Sequence, residues 1–415
     1  MKYQESGADH EPRTTAAPPA QPEAAPEPSV GARLLPMVVM MMLVHLAFTG
    51  GRVALTLYAI ELHASTFVVG MQVSLLSVLP MLLSVKTGRW IDGAGLRRPA
   101  LIAISIVAIG VLLPALWPSI GTLCVASVML GSGFMLLHMT VYNAVGHAST
   151  PDTRVRAFTI LSLGFSTSTV FGPVIAGYAI DTIGHRATFV LLPMFALMGL
   201  AILAHLWKSA LPPSAHSRPA GHARVVDLLR DPLMRAVFIV SGLLSMSWDM
   251  FTFMVPVQGA RIGLSASTIG LIMGCFGVAT FVVRAAMPLL QRRFSEWQTL
   301  CGSLAVTGFV YLLFPLFTTV PVLLALAFVV GLSLGCTQPM IMSLVHTIAP
   351  PGRSGEALGV RSTVMNASQT FLPMLFGGLG AAAGMVPAFW VLALILGGGT
   401  AFTRRFIKSE RKSAP

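Results

Sequence analysis

Long apolar runs, broken at short intervals by glycine, proline and clusters of basic residues, dominate this chain. They fall near 36–60, 66–86, 100–117, 120–144, 158–181, 187–206, 236–257, 266–288, 298–317, 321–346, 358–382 and 385–403. Each holds about 20 residues, enough for a helix to cross a hydrocarbon core of about 30 Å. Backbone groups in lipid must bond within their own segment, which leaves the helix as the form of each run. The pattern therefore predicts an all-α integral membrane protein with twelve transmembrane helices. Composition agrees: 10% of the residues are charged and 55% hydrophobic, against about 25% charged in soluble globular chains.

An even number of spans puts both termini on one side of the bilayer. Arg97, Arg98, Arg154, Arg156, Arg292, Arg293, Arg353 and the basic end from Arg404 to Lys412 all fall on that side, whereas the opposite loops carry only Arg186 and Arg261. The imbalance predicts that the terminal side is cytoplasmic. The net charge of +12 is thus a topology signal. Nucleic-acid binding is excluded as its meaning, since no aromatic-interleaved basic patch accompanies it. Cys124, Cys275, Cys301 and Cys336 lie inside spans, and no Cys/His cluster has metal-ligand spacing. No metal or cofactor is expected.

The organisation reads as five segments. Residues 1–33, rich in Pro, Ala and Glu, predict a disordered cytoplasmic tail without the apolar core of a secretory signal. Residues 34–207 and 235–403 hold six spans each, joined by a polar linker at 208–234, and 404–415 form a basic cytoplasmic tail. The two halves repeat. Residues 151–177 align without gaps on 351–377, pairing Pro151 with Pro351, Ser168 with Ser368, Phe171 with Phe371, Pro173 with Pro373 and Gly177 with Gly377. Leu123 and Leu323, and Gly131 and Gly331, keep the same offset. Prolines matched at the same depth point to two pseudo-symmetric six-helix bundles.

Between the second and third spans, Gly88, Asp92, Gly95, Arg97 and Arg98 follow the order Gly-x-x-x-Asp-x-x-Gly-x-Arg-Arg. This resembles the corresponding loop of the major facilitator superfamily of secondary transporters, with Gly93 where a basic residue is usual. In the fifth span, Gly172-Pro173-x-x-Ala176-Gly177 resembles a motif of the twelve-helix drug:proton antiporters in that superfamily, Ala176 replacing a glycine. The resemblance implies the major facilitator fold, an inner-membrane location, a monomer, and a central cavity lined by spans 1 and 7 among others. It also implies that Gly88, Asp92, Gly95, Arg97, Arg98, Gly172, Pro173 and Gly177 serve conformational gating. Asp92 is then expected to pair with Arg154, Arg156, Arg284 or Arg361 at helix ends, or to cap a helix.

One carboxylate lies deep in a span, Asp249 in the seventh. An acid at mid-membrane costs about 2.5–3.5 kcal/mol on insertion scales, so a partner or an aqueous cavity is expected. Asp249 is the candidate proton-coupling group, and the alternative is a permanent ion pair joining two helices. Arg52, after Gly50-Gly51 in the first span, has three readings: partner of Asp249 in a gate, anchor of an anionic substrate, or a structural charge on nearby carbonyls. His138 and Gln338 share the 200-residue offset of the repeat and are candidate cavity groups, with His45 and Trp248 beside them. Packing histidines are the competing reading for both His45 and His138. Met246, Met250 and Met254, at helical spacing, suit either a pliable cavity or the core.

Three function classes follow. The first is proton-coupled export of small, partly apolar molecules by alternating access. The second is proton-coupled uptake of an organic anion anchored by Arg52. A membrane enzyme or sensor is the third, and no nucleophile–base spacing or phosphate loop supports it. The expected partners are a small-molecule substrate, protons and the lipid bilayer.

Overall fold

A computed structural model describes residues 30–148, 151–206, 230–350 and 354–413. The segment 1–29 and most of the linker, 207–229, lie outside the described residues. The described part is helical from end to end. Helices α1 to α4 are Val30–Glu61, Thr66–Ala94, Arg97–Leu116 and Ile120–Ala148. The stretch Pro151–Leu206 breaks at Gly184, where φ is 80°, into α5 and α6. Glycine tolerates that left-handed backbone, so the chain reverses there without a Cβ clash. The second half has α7 Pro232–Arg261, α8 Ala266–Ala285, a short α9 Met287–Gln291 and α10 Glu296–Leu313. Helices α11 Val320–Gly335 and α12 Thr337–Ile348 form one span interrupted at Cys336, followed by α13 Ser354–Ala383 and α14 Met385–Ser413. Among the described residues these helices make up twelve spans, six in each half.

Several boundaries differ from the sequence expectation; helix α1 starts at Val30, inside the segment 1–33 expected as a disordered tail, and α5 starts at Pro151 rather than near 158. Helix α2 runs on to Ala94, so Gly88 to Gly93 form its last turns rather than a loop; only Gly95, at φ 69°, and Leu96 make the turn. Helix α8 stops at Ala285, three residues short of the expected end. The basic stretch expected as a tail continues α14 as far as Ser413.

The repeat is visible in the packing. A Cβ on Gly70 of α2 would overlap the Pro373 carbonyl and crowd Gly377 of α13; one on Gly270 of α8 would overlap the Pro173 carbonyl and crowd Gly177 of α5. Both contacts join the first six spans to the second six, and every residue in one sits 200 positions from its counterpart in the other. Inside the bundles the same offset recurs. A Cβ on Gly131 would overlap the Leu76 carbonyl, and one on Gly331 the Phe276 carbonyl. Glycine at such points lets backbones meet directly, which is how helices associate in lipid.

The small-residue stripe of α5 divides its labour by face. Gly164, Ser168 and Gly172 meet α1, where Ser168 Oγ donates to the Met42 carbonyl at 2.9 Å and Thr49 Oγ1 donates to the Ser168 carbonyl at 3.0 Å. Pro173 and Gly177, one position further round, meet α8. Gly274 and Gly277 of α8 continue that seam against Val170 and Thr169. On the side away from the termini, Asp181 accepts hydrogen bonds from the backbone of Ala266 (3.1 Å) and Ser267 (2.8 Å) at the start of α8. Arg261 donates to Thr66 Oγ1 at 2.6 Å. The two bundles are therefore sealed together on the side opposite the termini.

Candidate functional site

Between the bundles lies a cavity of about 580 Å3, lined by α1, α2, α4 and α5 from the first and α7, α8, α11, α12 and α13 from the second. Its wall on the first bundle is aromatic. His45 stacks on Phe134 at 5.0 Å between ring centroids, and Phe48 on Phe134 at 4.2 Å. Phe165 stands edge-on to His45 at 4.7 Å, and His138 lies 4.3 Å from Tyr142. The opposite wall carries Trp248, edge-on to Phe276 at 4.7 Å.

Arg52 and Asp249 meet in this cavity. Arg52 Nη2 is 3.9 Å from Asp249 Oδ1. Both lie at similar depth, Arg52 nine residues before the end of α1 at Glu61 and Asp249 twelve before the end of α7 at Arg261. The pair joins the two bundles. It is also loosely made: Arg52 Nε and Asp249 Oδ2 are buried without a hydrogen-bond partner. An ion pair that leaves donors and acceptors unsatisfied recovers little of its desolvation cost. Around it, Thr56 donates to the Arg52 carbonyl at 3.0 Å and Thr252 to the Asp249 carbonyl at 2.9 Å. Ser77 of α2 donates to Gln369 Oε1 of α13 at 3.2 Å, a second polar link between the bundles.

The direct contact makes a quantitative prediction. In a double-mutant cycle of R52A and D249N, followed by thermal unfolding in detergent, the two changes deviate from additivity by about 0.5–3 kcal/mol. Additivity within error removes the pair as an energetic unit.

Of the other candidates, His45, His138, Trp248 and Gln338 all line the cavity. Gln338 is exposed to it and His138 partly so, whereas His45 is buried among Phe48, Phe134 and Phe165. Met246, Met250 and Met254 belong to the buried core and not to the cavity lining. The methionines that do line it are Met135, Met273, Met342 and Met365. Gly172, Pro173 and Gly177 lie at the helix seams described above, and Gly88 sits over the Met139 side chain. Arg98 is exposed and Arg97 half-buried. The side chains of Asp92, Arg154 and Arg156 lie outside the described residues.

Arg284 and Arg361 are not where the sequence reading put them. Both line the central cavity. Arg284 Nη1 donates to Ser166 Oγ of α5 at 2.8 Å, across the bundle interface, and Arg361 Nε donates to Ser241 Oγ of α7 at 2.8 Å. The charge-in-a-span rule that singled out Asp249 applies equally to these two. They escaped it because each lies close to the end of its apolar run, where a long side chain is able to reach the interface. The half-cavity of Phe48, Phe134 and Phe165 was also missed; isolated phenylalanines in apolar runs give no signal of which ones converge.

Two matched helical bundles around a shared cavity, aromatic-walled with a few charged groups, define a multi-pass membrane transporter. The chain belongs to the Major Facilitator Superfamily, whose sequence profile matches residues 37–295 and 237–415. It is 26% identical over 393 residues to the efflux pump azaK of Aspergillus niger, spanning 84% of this chain and 81% of that one. It is 28% identical over 250 residues, 57% of each chain, to the multidrug efflux pump Tap of Mycobacterium bovis. Among solved structures, a POT family transporter in complex with a thioalcohol-conjugated peptide superposes with a TM-score of 0.77, covering 92% of this chain and 96% of that one at 14% identity. This last likeness shows the fold.

Proposed function

We propose that this protein exports small, partly apolar molecules in exchange for protons, by rocking one six-helix bundle against the other. The observation that carries the proposal is the Arg52–Asp249 pair, a titratable acid held between the two bundles at the wall of the cavity. Protonation of Asp249 removes the charge that holds Arg52, so the proton acts on a bond between the bodies that must move. Substrate and proton then compete for one mechanical state, which is the requirement for obligatory exchange. A cavity walled by Phe48, Phe134, Phe165, Trp248 and Phe276 supplies apolar surface for ligands of varied shape. The efflux pumps of similar sequence support export as the direction.

Uptake of an organic anion anchored on Arg52 is the competing reading, and the pairing of Arg52 with Asp249 weighs against a free Arg52 anchor. Transport in right-side-out and inverted membrane vesicles separates the two. Extrusion of a dye-like substrate against its gradient, driven by protons entering from the far side, is expected. Accumulation of an organic acid driven by an inward proton gradient overturns the export reading.

A further inference from the structure

We infer that the molecules carried are aromatic organic anions, held through Arg284 and Arg361 with the ring against the aromatic wall of the first bundle. The inference rests on transport through this cavity and goes beyond it by assigning the substrate's charge and the groups that read it.

The charge inventory of the cavity is lopsided. Its lining holds, among the described residues, three arginines, Arg52, Arg284 and Arg361, and one carboxylate, Asp249. Arg52 takes Asp249. Among the described residues, Arg284 and Arg361 have no carboxylate within ion-pair distance. Arg361 is only 4% exposed. Neutral partners, Ser166 Oγ and the Gly335 carbonyl for Arg284 and Ser241 Oγ for Arg361, hold each guanidinium in place without cancelling its charge. Guanidinium does not deprotonate in proteins, so the positive charge persists at any pH the cell meets. A buried Arg361 and a half-buried Arg284 with no carboxylate partner among the described residues are costly to keep in a span. A ligand that brings the counter-charge recovers that cost, and a cationic ligand adds to it.

Position specifies the rest. Arg284 and Tyr142 line the same cavity, and Tyr142 stacks on Phe158 and packs at a tilt against His138. A carboxylate, sulfonate or phosphonate on Arg284 therefore shares one cavity with the aromatic wall of Phe48, Phe134, Tyr142 and Phe165, which suits a conjugated ring. Arg284 and its partner Ser166 belong to different bundles. An anion that takes over the guanidinium competes with Ser166 and loosens the seam between α5 and α8, so binding acts on the moving interface. This differs from recognition by a lone Arg52: the anion-reading groups are those not engaged with Asp249.

The test is binding to the purified full-length protein in detergent by titration calorimetry, with a matched series: 2-naphthoate, 2-naphthamide and 2-naphthylmethylammonium. The naphthoate is expected to bind about tenfold or more tighter than the amide, the gain of a charge-assisted hydrogen bond, and the ammonium weakest of the three. In R284Q and in R361Q the preference for naphthoate over naphthamide collapses. R284K and R361K keep the charge but lose the two-pronged donor geometry, so they retain a reduced preference and serve where the glutamine variants do not fold. Binding of the ammonium as tight as the naphthoate, binding of none of the three, or an undiminished preference in the arginine variants overturns the inference. Failure of the export reading looks different: proton-driven flux fails to depend on Asp249 or runs inward, while the preference for naphthoate stands.

Discussion

Asp249→Asn abolishes proton-driven substrate movement and leaves the protein folded in the membrane. Among the described residues the carboxylate is the only acid in the cavity lining, and it sits between the bundles, 3.9 Å from Arg52. Asparagine keeps the size and polarity of the side chain and deletes the one property the mechanism uses, the exchange of a proton. Removing a proton-transferring side chain lowers rates by about 10²–10⁴-fold in enzymes, and a loss at the lower end or beyond is expected for pH-driven flux. Stability should survive. Breaking a fully buried pair strands a charge at a cost of about 3–5 kcal/mol, but the Arg52 side chain is 16% exposed and opens onto the central cavity, which is wide enough to admit water. The measurement is flux into proteoliposomes under an imposed pH gradient, alongside exchange of labelled for unlabelled substrate with no gradient. Loss of the first with retention of the second locates the defect in proton coupling. Wild-type rates under the pH gradient take Asp249 out of the mechanism.

Gly270→Ala is expected to prevent closure of the side opposite the termini. Its Cβ would overlap the Pro173 carbonyl, which belongs to the other bundle. The clash involves backbone on both sides, so no side chain is free to turn away. Overpacking of this kind costs about 1–3 kcal/mol, and the cost falls on the sealed arrangement alone. Converted to populations, it disfavours that state by about 5- to 150-fold, and transport that must pass through it slows in proportion. Gly70→Ala strikes the symmetry-related contact with Pro373 and should behave alike. Gly302→Ala adds a Cβ that meets nothing within 4 Å and is the control. In a background without Cys124, Cys275, Cys301 and Cys336, a cysteine at the cavity position Thr252 should react faster with an impermeant maleimide supplied from the far side when Gly270 is alanine. Labelling and transport equal to the Gly302→Ala control would falsify the role given to this seam.

Both predictions depend on residues that differ in how far the sequence exposes them. Asp249 announces itself, because an acid inside an apolar run has a large and unavoidable cost. Gly270 does not: glycines are common in such helices, and only its apposition to Pro173 separates it from Gly302. The two are alike in sequence context and opposite in consequence. Arg284 and Arg361 fall between. Their charge inside apolar runs is visible, but whether such a side chain snorkels to the interface or turns into a cavity depends on which helices surround it. The structure brings Ser166 and Ser241 to them, and those serines come from helices over a hundred residues away in the chain.

The apolar periodicity by itself determined that this is a membrane protein of twelve helices, because the bilayer imposes span length and closes off every other backbone form. The repeat at a 200-residue offset determined two related bundles, since matched prolines and glycines carry the same packing constraints in each copy. Tertiary structure alone decided which polar groups share the cavity, which glycines press backbone to backbone, and that, among the described residues, three guanidiniums and a single carboxylate line it. The physical reason is range: desolvation and helix length act residue by residue along the chain, while charge balance and steric fit exist only between segments brought together by folding.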